Sequence, residues 1–426
     1  MTTASTTDAA ATSTDGAVSA PDRITDLDVT RGFAVMGILA MNIVGFAMPQ
    51  SAYITPVNWG GDTGIDLVAW ALNYVLIDSK MRGLFSMMFG ASTLLVMQSA
   101  LAEGRSPAKT HYARMAVLAL FGLFHFYLIW FGDILFIYAL MGLLLYLFRN
   151  LGVKPLVIWG TSLIALNTLL MGAILGFLAL GASPSAPPEI TEARAQFDAN
   201  FSYHSPESVS SATLHRSTYA AIVSDKTSTK KWFAPLATAL QFGAETLGLM
   251  LIGMALFNSG LLRGAWPLER LALWRNRCLG IGVIANTGLL YVQINGGMEA
   301  LTVLAATFVL SVPFDVIMSI GYAALFMGLA QRFAASPLIG RVAAAGRAAF
   351  TNYLGSSIAM TTIFYGYGFG MFGEVSRAAL YLFVAGAWLL MLLWSKPWLD
   401  RFRFGPLEWL WRSLSRLQVQ PMRRTA

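Results

Sequence analysis

Stretches of about 20 consecutive, mostly apolar residues recur along the whole chain, and this recurrence limits the fold more than any other feature. A helix that crosses the hydrocarbon core of a bilayer needs about that many. Ten candidates lie near 30–48, 80–101, 112–131, 133–149, 155–181, 236–258, 277–295, 309–331, 344–366 and 377–395. Only 12% of the 426 residues are charged, against about 25% in an ordinary soluble domain. Mean hydropathy is +0.60. So few charges cannot cover a water-facing surface of this size, which excludes an ordinary cytosolic enzyme, a disordered chain and a secreted disulfide scaffold. The expected class is all-α: a polytopic transmembrane helical bundle of about ten spanning helices.

Charge distribution sets the expected topology. The net charge of +7 is read as a loop signal rather than a nucleic-acid footprint, because Lys and Arg collect on the cytoplasmic side of membrane proteins. With both termini on one side, that side holds 21 Lys/Arg and the other holds 8. Both termini are therefore expected in the cytoplasm. The expected organisation is a disordered polar tail (1–22), an N-terminal membrane half (23–181), an exterior or periplasmic loop (182–235), a C-terminal membrane half (236–395) and a basic interfacial tail (396–426). Segment 59–78 reads as an amphipathic or re-entrant helix. Residues 300–312 run into Pro313, and such a break inside lipid needs protein or water around it, so it is a candidate cavity-lining element.

Ionisable residues within spans are costly and mark candidate functional positions. His125 is the one histidine embedded in an apolar run, FGLFHFYLIWFGD. It is either a structural histidine or a general acid–base, since only His titrates near neutrality unperturbed. Asp133 lies eight residues on and could orient it. Asp28 and Arg31 could form a helix-start ion pair or clamp an anion. Glu245 and Asp315 could relay protons, or could pair with Arg82 or Lys80. Single Cys278 allows no intramolecular disulfide, and no metal-ligand spacing, Walker A loop or GxSxG elbow occurs. No metal, permanent cofactor or nucleic-acid partner is expected; the bilayer is the expected partner, and a homodimer stays open.

The stretches RITDLDVTRGFAVMGILAMNI (23–43), FSMMFGAS (85–92), RMAVLALFGLFHFYLIWFGDILFIYALMG (114–142), GRAAFTNYLGSSIAMTTIFYGYGFGMFG (346–373) and FGPLEWLWRSL (404–414) resemble the YeiB family of bacterial inner-membrane proteins. The LDxxRG start, with an Asn about ten residues on, also looks like heparan-alpha-glucosaminide N-acetyltransferase, one of the transmembrane acyltransferases. That resemblance implies transfer of an acyl group from a cytoplasmic CoA thioester, such as acetyl-CoA, to a small-molecule, glycan or lipid hydroxyl or amine across the bilayer. It points to Asp28, Arg31 and Gly32 for the donor and to Asn42 for hydrogen bonding to the thioester oxygen. The relative carries its active-site histidine after the first span, where residues 43–79 here contain none. His125, with Asp133, would then supply the base from another helix. Arg31, Asn42 and His125 are accordingly expected around one chamber open to the cytoplasm. The alternatives are a secondary transporter or exporter of a small polar or lipid-like solute, which intramembrane Glu245 and Asp315 would suit, and a non-catalytic component of a membrane complex.

Overall fold

The computed structural model describes residues 25–424, so the polar tail expected over 1–22 lies outside the described residues. The described chain is helical and without strand ladders. Its helices are α1 (Thr25–Ala47), α2 (Gln50–Ile54), α3 (Gly64–Leu76), α4 (Lys80–Ala102), α5 (Pro107–Phe124), α6 (Leu135–Leu145), α7 (Val153–Leu180), α8 (Pro188–Phe201), α9 (Pro206–His215), α10 (Tyr219–Lys226), α11 (Ala234–Asn258), α12 (Leu268–Asn295), α13 (Ala300–Ala305), α14 (Val312–Arg332), α15 (Pro337–Arg347), α16 (Ala349–Phe364), α17 (Arg377–Arg401) and α18 (Pro406–Arg416). Two π turns interrupt them, at His125–Ile129 and Ala306–Leu310.

Eight helices among the described residues are long and apolar enough to cross a membrane. They coincide with eight of the ten expected spans. The other two differ for local reasons. The fourth is the short Leu135–Phe148, because Asp133 accepts a hydrogen bond from the Phe136 N–H at 2.8 Å and so caps α6 late. The ninth is broken at Ala348 into α15 and α16. There Glu408, brought in by α18, accepts from the Phe350 and Thr351 N–H groups at 2.7 and 3.0 Å and starts a new helix.

With little hydrophobic drive between helices in lipid, close approach of small residues holds such bundles together. A Cβ on Gly90 would lie 2.0 Å from the Met250 carbonyl oxygen, and one on Gly253 would lie 2.0 Å from that of Met87. The two glycines let the backbones of α4 and α11 touch. A second such seam joins α1 to α15, through Gly32 against Val342 and Gly346 against Asp28. α1 is consequently buried along most of its length at the centre, while α7, α12 and α17 carry many exposed apolar side chains and form the periphery.

The starts of α1 and α5 and all of α18 share one end of the bundle. The Arg31 Nη2 donates to Ser92 Oγ in the second half of α4, and Trp411 Nε1 donates to the Arg114 carbonyl oxygen at 3.0 Å. Helices α8–α10 cap the opposite end. Their anchors are hydrogen bonds from Tyr219 Oη to Leu128 O and from Lys226 Nζ to Ile129 O, at 2.9 and 3.0 Å. The carbonyls they engage belong to the first π turn, which leaves them without partners of its own helix.

Candidate functional site

The chemistry concentrates where α5 ends. α5 widens into the π turn at His125, and Trp130 then leaves in an extended conformation. Such turns are frequent at functional sites. Gly122, one turn earlier, lets the start of α6 come close, since a Cβ there would meet the Phe136 nitrogen at 2.4 Å. The returning chain so brings Asp133 against the ring. His125 Nδ1 and Asp133 Oδ1 are 2.8 Å apart, with the two side chains 0% and 2% exposed. In the neutral ring that bond puts the proton on Nδ1, which donates to the carboxylate and leaves a lone pair on Nε2. Nε2 is buried and has no partner. The Tyr353 ring packs 5.3 Å away, a neighbour that the sequence did not single out.

A cavity of about 920 Å³ lies beside this pair, under the α8–α10 cap. Asp133, Phe126, Asp78, Arg82 and Tyr138 line it, and Thr307 and Phe308 bring in the second π turn. The segment before Pro313 thus lines a cavity as expected. The break is made by the π turn, and Pro313 sits in the first turn of α14, where its missing N–H costs nothing.

The other sequence-marked residues fall into pairs. Lys80 Nζ lies 2.9 Å from Asp315 Oδ1, and Arg82 Nη2 lies 2.8 Å from Glu245 Oε1. Arg31 Nη1 bonds Asp28 Oδ1 at 3.0 Å. Gly32 is occupied by helix packing against Val342. The single chamber expected around Arg31, Asn42 and His125 is not found: none of the three lines the cavity. Arg31 and Asn42 are eleven residues apart on one helix, about 16 Å along its axis, and the glycine seam with α15 fills the space along the Arg31 half of α1. Asn42 is buried nearer the cavity level, where its neighbours Met41 and Val44 form part of the wall.

In the cap, burial pulls His215 down to about 4, partly offset by its bond to the Ser211 carbonyl; Lys226, Asp225 and Lys231 also act on it. Its ring stacks on Phe372 at 4.7 Å and meets Tyr365 edge-on. The folded value lies below the ordinary value of about 6.5. The neutral ring therefore contributes stability that is full above pH 6.5 and lost as pH falls from about 6.5 towards 4, an effect of about 3 kcal/mol. Limited proteolysis of residues 188–231 should accelerate between pH 7 and pH 5, and His215→Gln should flatten that dependence. Equal pH dependence in both proteins would contradict the assignment.

The family described as "Protein of unknown function (DUF418)" matches residues 256–418. The uncharacterised protein YeiB of Escherichia coli is 33% identical over 92% of this chain and 96% of its own length. The chain belongs to the YeiB family. Uncharacterised YxaH of Bacillus subtilis is 30% identical over 94% of the chain and 96% of that relative. An uncharacterised 39.9 kDa protein in the amylase 3' region of Bacillus acidopullulyticus is 24% identical over 93% and 95%. No solved structure matches. This YeiB-family chain is thus similar over nearly its full length to bacterial proteins without an assigned reaction, and its chemistry has to be read from the site.

Proposed function

We propose that this YeiB-family protein is an acyltransferase of the bacterial inner membrane. Both termini face the cytoplasm in this reading. An acyl-CoA donor such as acetyl-CoA approaches the Arg31 end, and a hydroxyl or amine acceptor occupies the exterior-side cavity. The observation that carries the reading is the buried His125–Asp133 pair with its unpartnered Nε2. In this reading the acceptor reaches Nε2 from the adjoining cavity by displacing the wall that Phe126 and Asp133 form, and Nε2 takes the proton of the acceptor hydroxyl while that oxygen attacks the thioester carbonyl. Asp133 stabilises the imidazolium that forms. Collapse of the tetrahedral intermediate breaks the C–S bond, and the proton passes from His125 to the departing thiolate. Arg31, bonded to Asp28 and Ser92 at the far end of α1, is the candidate for the phosphates of the donor and Asn42 for the developing oxyanion; both roles require a passage to the cavity that opens when the donor binds.

General-base removal typically costs about 10²–10⁴ in rate. His125→Ala should therefore lower transfer of radiolabelled acetyl from acetyl-CoA to the membrane fraction by about 10²–10⁴, with acetyl-CoA binding unchanged. Full transfer by that variant would remove His125 from the chemistry.

The ion pairs Lys80–Asp315 and Arg82–Glu245 beside the cavity favour a second reading, a proton-coupled exporter. Proton flux in liposomes that vanished on neutralising Glu245 or Asp315, without any acetyl transfer, would select it.

A further inference from the structure

The cavity has two chemically distinct faces. Arg82, Asp133 and Tyr138 make its inner end polar, while Met171, Ile174 and Leu178 of α7 and Phe242 of α11 make one side apolar. α7 and α11 run antiparallel and touch at Gly160 and Gly248, where a Cβ on Gly160 would lie 2.8 Å from the Gly248 carbonyl oxygen. On α7 the lining residues Met171 to Leu178 lie about 16–27 Å from that crossing, and on α11 Phe242 and Thr238 lie about 9–15 Å from it, both towards the capped end. Towards the cap, a Cβ on Gly172 of α7 would meet Val309 of the second π turn, and one on Gly176 would meet nothing within 4 Å. Ile174 lines the cavity and is still 57% exposed, and Gln241 across the gap is exposed too. The apolar side of the cavity therefore opens outward beside Ile174, within the membrane-length helix α7.

Two buried cations line the same cavity. Arg377 is 2% exposed, its Nη2 donates to the Ala52 carbonyl oxygen at 2.8 Å, and its Nε is buried with no partner. Among the described residues it has no carboxylate at ion-pair distance. Asp66, nearby, instead accepts from the Ala378 N–H at 2.7 Å. Lys226 is 5% exposed, donates to Ile129 O and likewise lacks an ion-paired carboxylate among the described residues. Buried charges without counter-ions are expensive, and a ligand anion offsets that cost.

We propose that the cavity binds an anionic, phosphate-bearing lipid of the exterior leaflet, its headgroup held by Arg377 and Lys226 and its tail leaving between α7 and α11. A soluble anion would need no apolar mouth, and an uncharged lipid would leave Arg377 and Lys226 with only the more distant Asp66 and Asp225 to offset their charge. Binding stands apart from catalysis. That the bound headgroup is the acyl acceptor rests on the acyltransferase reading above.

The test uses the full chain in phosphatidylcholine vesicles containing photo-crosslinkable phosphatidylglycerol, with labelled peptides mapped by mass spectrometry. Label should concentrate on residues 171–178 and 238–242. Arg377→Gln should reduce it about tenfold, the equivalent of one lost charged hydrogen bond. Ile174→Trp, which plugs the mouth from a lipid-facing position, should do the same with thermal unfolding unchanged. Label spread evenly over the peripheral helices and indifferent to both variants would overturn the site. Displacement by millimolar inorganic phosphate, with photo-crosslinkable diacylglycerol labelling the same peptides equally well, would also overturn it. Concentrated, variant-sensitive label in a protein that transfers no acetyl would leave the lipid site standing and defeat only the acyltransferase reading.

Discussion

Lys80→Met is expected to destabilise the protein by about 3–5 kcal/mol, the cost of breaking a buried ion pair by removing one partner. Lys80 is 1% exposed, and its ammonium reaches Asp315, the Tyr74 carbonyl oxygen and Asn286 Oδ1 together. Methionine fills nearly the same volume, so lost packing is minor. What remains is an Asp315 carboxylate with only the Ser311 hydroxyl, 2.8 Å away, to hold it. Thermal unfolding in detergent, followed by the loss of the monodisperse peak, measures the effect. Lys80→Met with Asp315→Leu should recover most of the stability, because the double variant buries no uncompensated charge. A double variant as unstable as the single one would show that Lys80 acts through its other two contacts.

If the protein is the acyltransferase proposed above, Asp133→Asn should cut acetyl transfer by about 10²–10⁴ while changing the shape of the site very little. Asp133 works as a double acceptor: Oδ1 faces His125 Nδ1 and Oδ2 takes the Phe136 N–H, each at 2.8 Å. Asparagine offers one acceptor and one donor. If its oxygen keeps the helix cap, its amide donates to Nδ1 and drives the ring proton to Nε2, which then has no lone pair for a base. If its oxygen keeps the histidine, α6 loses its cap, at about 1 kcal/mol. The first arrangement predicts a stable protein with the base blocked, and the second a slightly less stable one that keeps the tautomer but lacks the charge that stabilises the imidazolium, so transfer falls in both. Rates and unfolding midpoints measured together separate them. Loss of neither activity nor stability would show that the carboxylate is not needed.

Much of this was legible in the residues. Apolar length located eight of the spans, because insertion in a bilayer depends on local composition more than on distant contacts. The scarcity of intramembrane charge made each one conspicuous, so the partners of Glu245, Asp315 and His125 could be named from a short roster. Helix breaks were harder. α6 and α16 start late because Asp133 and Glu408 cap them, and Glu408 does so from 58 residues away. Arg377 resembled one more loop cation, and its burial depends on Ala52, 325 residues earlier. The cavity has no periodic signature at all, because residues far apart in the chain, from Met41 of α1 to Arg377 of α17, line it together.

The π turn at His125–Ile129 fits five residues into a loop of helix that would ordinarily be closed by four. Removing any one residue from it would let ordinary helix geometry run through, and everything downstream would swing by about 100°. Asp133 would then swing away from the imidazole, and the carbonyls that Tyr219 and Lys226 grip would point elsewhere. The alignment of His125 with Asp133 is therefore stored as a count of residues, and the sequence should accept many changes of side chain across this stretch while rejecting any change of length.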